Sequence, residues 1–140
     1  MPTNKAKSFV VIMVVIAALA VLLRIAAEQI IKVNIAQNES DAAATLKLIA
    51  AALQNYAQAN KGLFPDKFEA LVKTAPPYLD KDYTELPSLK GYDYICQRLE
   101  PLGYSCSAVP AKCGISGNII YTVSSGGISL SEACDKKGAE

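Results

Sequence analysis

Phe9-Val10-Val11-Ile12-Met13-Val14-Val15-Ile16-Ala17-Ala18-Leu19-Ala20-Val21-Leu22-Leu23 is an uninterrupted apolar run. It flows without Pro or Gly into a polar, helix-favouring stretch that lasts to about Asn60. A cleaved secretory signal normally ends its apolar core at a break with a small-residue cleavage site. Here Lys5 and Lys7 supply a basic start, but the helical pattern continues through Arg24, Glu28 and Lys32 with no punctuation. At 1.5 Å per residue the whole element is about 75 Å long, far more than the core of a small domain needs. The pattern predicts one helix whose first half sits in a lipid or protein-lined apolar environment and whose second half packs on a head domain.

The first half is short for a free-standing span. Phe9 to Leu23 reaches about 22 Å against a hydrocarbon core of roughly 30 Å. Adding Ile25, Ala26 and Ala27 brings it close to full thickness if Arg24 snorkels to the interface. Lys5 and Lys7 then stay cytoplasmic by the positive-inside preference, and everything after Glu28 lies on the far side.

The chain of 140 residues carries a formal net charge of +1 and no His. Less the apolar run, roughly a hundred residues remain for one domain, near the lower end of what buries a self-sufficient core, so covalent cross-links are expected. All four cysteines, Cys96, Cys106, Cys113 and Cys134, lie in the C-terminal part, and none forms a CxxC pair. Without His, mixed Cys/His zinc sites and CxxCH haem sites are excluded. An even cysteine number beyond a membrane segment reads as two disulfides outside the cytoplasm, the alternative being an all-cysteine zinc site. The basic residues are scattered, so no nucleic-acid footprint is present.

Beyond the membrane half the helix becomes amphipathic. Leu46, Ile49, Leu53, Tyr56 and Asn60 recur at three- and four-residue steps, Ala42, Ala50 and Ala57 widen the stripe, and Lys47, Gln54 and Gln58 face away. Gly62 fits a left-handed stop. Asp66 is the expected N-cap, and Glu69 its capping-box partner, of a short helix through Lys73 that buries Phe68, Leu71 and Val72. Pro76-Pro77 ends that helix, and Tyr78 to Leu89 reads as a loop.

From Gly91 the period changes to two. Tyr92 to Arg98 and Tyr104 to Val109 are strand-like, joined through Leu99 to Gly103, and Asn118 to Val123 and Ile128 to Leu130 form a second pair. An antiparallel sheet of three or four strands results, and the amphipathic half of the helix is the available cover for one face, an α+β fold. A five-residue connection centred on Pro101 places Cys96 opposite Cys106 and Tyr94 opposite Ala108, which leaves Cys113 for Cys134. Each closure contributes on the order of 2–4 kcal/mol.

Other features have plain readings. Tyr92, Tyr94, Tyr104 and Tyr121 are expected to pack against the helix rather than form an adhesive or charge-transfer surface. Asp80, Asp82 and Glu85 lack the glycine and spacing of an EF-hand and read as a solvated loop. Asn38-Glu39-Ser40 matches a glycosylation sequon but falls within the helix. No metal site or cofactor is expected. The dispersed carboxylates, with no Gly-rich phosphate loop or nucleophile elbow, give an enzyme little to work with, and the chain is read as non-enzymatic.

The order of these segments resembles that of type IV pilins and the pseudopilins of type II secretion systems. The resemblance is carried by Ala52-Leu53, Tyr56, Asn60-Lys61-Gly62 and Phe64-Pro65. Further on it is carried by Gly91-Tyr92-Asp93-Tyr94, Gly103-Tyr104, Ala108-Val109-Pro110, Gly117 and Gly126-Gly127-Ile128. It implies a basic leader over residues 1–8, cut by a prepilin peptidase at the Ser8/Phe9 junction, with methylation of the new N-terminus. It further implies an assembly half over residues 9–34, including Phe9, Met13, Val14, Ile16, Leu19 and Leu23, and an extracytoplasmic head over residues 35–140. The implied partners are identical or homologous pilin-like subunits. The implied location is the inner membrane for the precursor, then an extracytoplasmic or surface filament serving as a pilus or in secretion. The chain departs from the family pattern in two places, with Ser8 where Gly is usual and Met13 where Glu is usual. The alternative reading is a membrane-anchored extracytoplasmic binding module that does not polymerise.

Overall fold

The computed structural model of the protein describes residues 3–135, without the side chains of residues 3–7 and Ile128. The side chains of Lys5 and Lys7, which carry the charge of the expected leader, therefore lie outside the described residues. In chain order the elements are helix α1 (Thr3–Ala59), helix α2 (Glu69–Val72), and strands β1 (Tyr92–Glu100), β2 (Gly103–Pro110), β3 (Ile119–Ser124) and β4 (Ile128–Ala133). The architecture is α+β, with a single antiparallel sheet of order β1-β2-β3-β4. The chain divides between Asn34 and Ile35 into two compact units, and α1 runs through the boundary.

In the unit that begins at Ile35, the C-terminal half of α1 covers one face of the sheet. Ala42, Leu46, Ile49 and Leu53 succeed one another at four- and three-residue steps and are fully buried. Opposite them lie the inward side chains of Tyr92 and Tyr94 on β1, Tyr104, Cys106 and Ala108 on β2, and Val123 on β3. The alternation of β1 and β2 sends these residues to one face. The segment between helix and sheet closes the core at its margin, where Phe68, Leu71, Leu79 and Tyr83 are buried. Edge-to-face aromatic pairs fix its position: Tyr83 with Tyr94 at 5.9 Å, Phe64 with Tyr104 at 5.0 Å and Tyr56 with Tyr78 at 5.6 Å between ring centroids.

The β1–β2 register sets Cys96 opposite Cys106 and Tyr94 opposite Ala108. It arises differently from the expected five-residue connection. β1 continues to Glu100 and β2 begins at Gly103, so only Pro101 and Leu102 turn the chain. A bulge at Gln97 then shifts the pairing by one residue, from Arg98↔Ser105 on the turn side to Cys96↔Cys106 beyond it. The short turn plus one unpaired residue gives the same register as the longer loop.

Local expectations around the helix ends need correction. Asn60 does not extend the apolar stripe: α1 ends at Ala59, Asn60 is exposed, and its Nδ2 donates to Tyr56 O at 2.8 Å. The left-handed stop includes Lys61 (φ 58°) as well as Gly62 (φ 84°), and the Gly62 N–H closes a bond to Ala57 O at 2.7 Å. Gln54 is half-buried beside Tyr104 rather than facing away. Asp66 does not cap α2, whose N-cap position is Phe68 with no side-chain capping bond. Glu69 is itself the first residue of α2 and so is not at the capping-box position; its Oε1 accepts from Lys73 Nζ at 2.8 Å instead. Phe68 and Leu71 are nevertheless buried and Val72 half-buried, the face expected of this short helix.

The tyrosine-rich core makes stability depend on alkaline pH. Burial, reinforced by the negative charge of Glu39, pushes the Tyr92 hydroxyl up to about 12. Burial and a hydrogen bond to Asp80 do the same to Tyr83. Both hydroxyls ionise near 10 in an unfolded chain, so between about 10 and 12 the unfolded state has released protons that the folded state keeps. Stability is therefore full below 10 and falls as pH rises toward 12. Denaturant unfolding across this window should show that decline, with tyrosinate absorbance growing as helical circular dichroism is lost. Unchanged stability across it would contradict the assigned burial of these rings.

Candidate interaction surface

Lipid or partner helices can bury an α-helix that is apolar on every side, because its backbone polar groups are already satisfied within it. Residues 9–23 of the first unit form such a helix. From Phe9 to Leu23 every side chain is exposed, and the residues expected to mediate assembly range from 54% exposed at Leu19 to 71% at Leu23. An 18-residue window in Ser8–Ala59 reaches a mean hydropathy of 3.0. Phe9, Met13, Ile16, Leu19 and Leu23 share one helical stripe and Val14 lies off it, but every residue from 9 to 23 is apolar and exposed, so this segment presents apolar surface all round. Ser8 and Phe9, the expected leader junction, both lie exposed on α1.

Charge returns at Arg24, the residue after Leu23. Arg24 Nε lies 3.7 Å from Glu28 Oε1, and both side chains are largely exposed. Such a pair adds only a few tenths of a kcal/mol to the helix. Its chief effect is to mark where the uncharged surface stops. Met13 sits amid that surface, and Glu28, the next acid along the chain, is about 22 Å away along the helix axis.

The second unit carries both disulfides, Cys96–Cys106 and Cys113–Cys134. The first staples β1 to β2. The second ties the loop of residues 111–118 to the end of β4, where the Cys134 N–H also donates to Asn118 O at 2.9 Å. Their loops do not overlap, so each restricts the unfolded chain separately.

Sequence reasoning missed the side chains that join α1 to this loop. Asn38 Nδ2 donates to Ser116 O at 2.9 Å, and Glu39 Oε1 accepts from the Asn118 N–H at 2.8 Å. Asp41 pairs with Lys90 at 2.9 Å. A signal existed: Asn38 and Glu39 stand four and three residues before Ala42, on the same face as the buried stripe, where a polar group requires a partner. The sequon reading obscured it. Beneath the loop, the Tyr92 ring passes under Gly117 and its hydroxyl donates to Ile119 O at 2.8 Å.

Among the described residues no group of three or more His, Cys, Asp or Glu side chains is gathered for a metal ion. Asp80 accepts from the Tyr83 hydroxyl, and Asp82 Oδ1 accepts from the Thr84 N–H and hydroxyl. These carboxylates tie their own loop.

Among solved structures, the chain is similar to the non-core minor pilin PilV of Neisseria meningitidis, with 18% identity and a TM-score of 0.45 over 75% of this chain and 92% of that one. No protein-family model matches the sequence, and no curated protein does.

Gly117 is where the geometry is least forgiving. A Cβ there would stand 2.1 Å from the Tyr92 hydroxyl oxygen and 2.6 Å from the adjoining ring carbon. Gly117→Ala should therefore cost about 1–3 kcal/mol in denaturant unfolding, as other overpacked sites do. Gly126→Ala meets no atom within 4 Å, although its φ of 96° adds strain. If Gly117→Ala were fully tolerated, Tyr92 would not occupy the space assigned to it.

Proposed function

We propose that this chain is a structural subunit of a pilin-like filament. In this reading the precursor is held in the inner membrane by residues 9–34, the peptidase removes residues 1–8 at Ser8/Phe9, and residues 35–140 form the extracytoplasmic head. The observation that carries the reading is the union, in one continuous helix, of an all-round apolar segment and an amphipathic segment buried on a disulfide-bonded sheet. A mere anchor needs no unbroken helical connection to its head. A filament subunit does, because the apolar segment must leave lipid and be buried again by homologous helices while its head stays folded. A head-to-tail contact of this kind repeats as an open helical polymer rather than closing as a dimer.

Met13 bears on which subunit this is. When a leader is cut, the new ammonium at Phe9 enters an apolar filament core and needs a compensating carboxylate from a neighbour. Met13 supplies none, and the Glu28 of the same chain is too distant. A subunit at the filament tip has no preceding N-terminus to neutralise, so the minor or initiating position suits this sequence. The filament then holds few copies of this chain beside a partner subunit that carries the acid.

N-terminal mass analysis of the protein from cells tests the processing step. A start at Phe9 supports it, and a start at Met1 favours the non-polymerising anchor. Val14→Asp and Ile16→Asp should each remove the chain from sheared filament fractions, since a charge at either position costs several kcal/mol in lipid or in a helical core. The Cys96–Cys106 and Cys113–Cys134 cross-links should form normally in both variants. Assembly of the aspartate variants at wild-type levels would overturn the proposed role of the apolar helix.

A further inference from the structure

Within the second unit, the residues of α1 from Ile35 to Asp41 include no fully buried side chain, and apolar burial begins only at Ala42. Polar contacts hold this stretch: Asn38 to Ser116, Glu39 to Asn118 and Asp41 to Lys90. Two of the three end on the loop of residues 111–118. That loop is tightly folded, with the Ser116 hydroxyl bridging the Lys112 backbone and the Gly114 N–H donating to Gly117 O at 2.8 Å. Cys134 ties it down twice, through the disulfide to Cys113 and through its N–H to Asn118 O. The grip on the start of the head helix and the C-terminal cross-link therefore meet in one short segment.

The two disulfides differ in access. Cys106 is fully buried under the helix, whereas Cys96, Cys113 and Cys134 are half-buried. A reductant in solution can approach either sulfur of the second bridge but only one side of the first.

We propose that Cys113–Cys134 is a reducible latch on the base of the head helix. Closed, it holds the 111–118 loop in the shape that grips Asn38 and Glu39. Opened by a dithiol reductant, it frees residues 35–41, while Cys96–Cys106 and the Ala42–Leu53 stripe keep the sheet and the remaining helix together. In the exchange, a reductant thiolate attacks one sulfur and the other leaves as a thiolate that takes up a proton. The second reductant thiol then displaces the first cysteine, so two electrons pass to the protein, leaving two cysteine thiols and an oxidised reductant. Support along α1 retreats from Ile35 to Ala42, about two turns. This latch does not depend on the filament reading.

Hydrogen exchange on the oxidised full-length chain in detergent micelles, read by mass spectrometry, tests the latch. Cys113→Ser/Cys134→Ser should raise exchange at residues 35–41 about tenfold, the effect of losing one or two net hydrogen bonds, and leave Leu46–Leu53 unchanged. Asn38→Ala/Glu39→Ala, which touches no sulfur, should do the same. Combining the two pairs should add little beyond either alone, because they break the same connection. Graded dithiothreitol followed by alkylation should label Cys113 and Cys134 before Cys96 and Cys106. Several results would overturn the proposal: unchanged exchange at 35–41 in either double variant, a uniform rise across the whole unit, fully additive effects, or labelling in the reverse order.

Discussion

The head unit depends on one contact, the stripe Ala42-Leu46-Ile49-Leu53 lying on the tyrosines of β1 and β2. A sheet of four short strands has no second sheet to pack against, so one of its faces must be covered by something else. The helix is that cover, and it is long enough to pass across the inner face with buried side chains at each turn. Each large aliphatic residue in the stripe contributes about 1.5–3 kcal/mol by leaving water. The tyrosines opposite supply broad rings that fill the gap, with hydroxyls that reach the margin; Tyr92 finds Ile119 O in this way. Glycine at position 117 leaves the room that the Tyr92 ring occupies beneath the chain.

Much of this was legible because it is periodic. The change from three- and four-residue spacing to alternation after Gly91 located the helix and the sheet, and the spacing of Leu46, Ile49 and Leu53 identified the buried face. The pairing of Cys96 with Cys106 also followed from strand register, although a two-residue turn plus a bulge replaced the loop that sequence suggested. What failed was local polar chemistry. Asp66 and Glu69 have the residue types of a capping box, but the helix begins only at Glu69 behind Phe68, which leaves both out of the capping register. Asn60 occupies a stripe position only if the helix continues, and the left-handed turn at Lys61 ends it first. The contacts of Asn38 and Glu39 join residues far apart in sequence, and no local pattern specifies their partners.

The same helix carries two different kinds of surface. Its second half follows the usual compromise of a surface helix, apolar inward and polar outward. Its first half makes no such compromise, and a segment with no polar side cannot rest in water. The pair Arg24–Glu28 and the neighbouring Lys32 mark the passage between the two regimes. No glycine or proline interrupts the backbone there, so the change is written entirely in side chains, and the proposed assembly role requires that continuity.

The strand order β1-β2-β3-β4 has a kinetic meaning. Each strand pairs with the one just before it, through Pro101-Leu102, through residues 111–118 and through Ser125-Gly126-Gly127. Closing such short loops costs little chain entropy, and contacts that are close in sequence form quickly. The one distant requirement is that the finished sheet meet the helix. For a chain whose N-terminal helix is held while the rest emerges, the sheet can build up hairpin by hairpin and dock once, without threading any strand between others already in place.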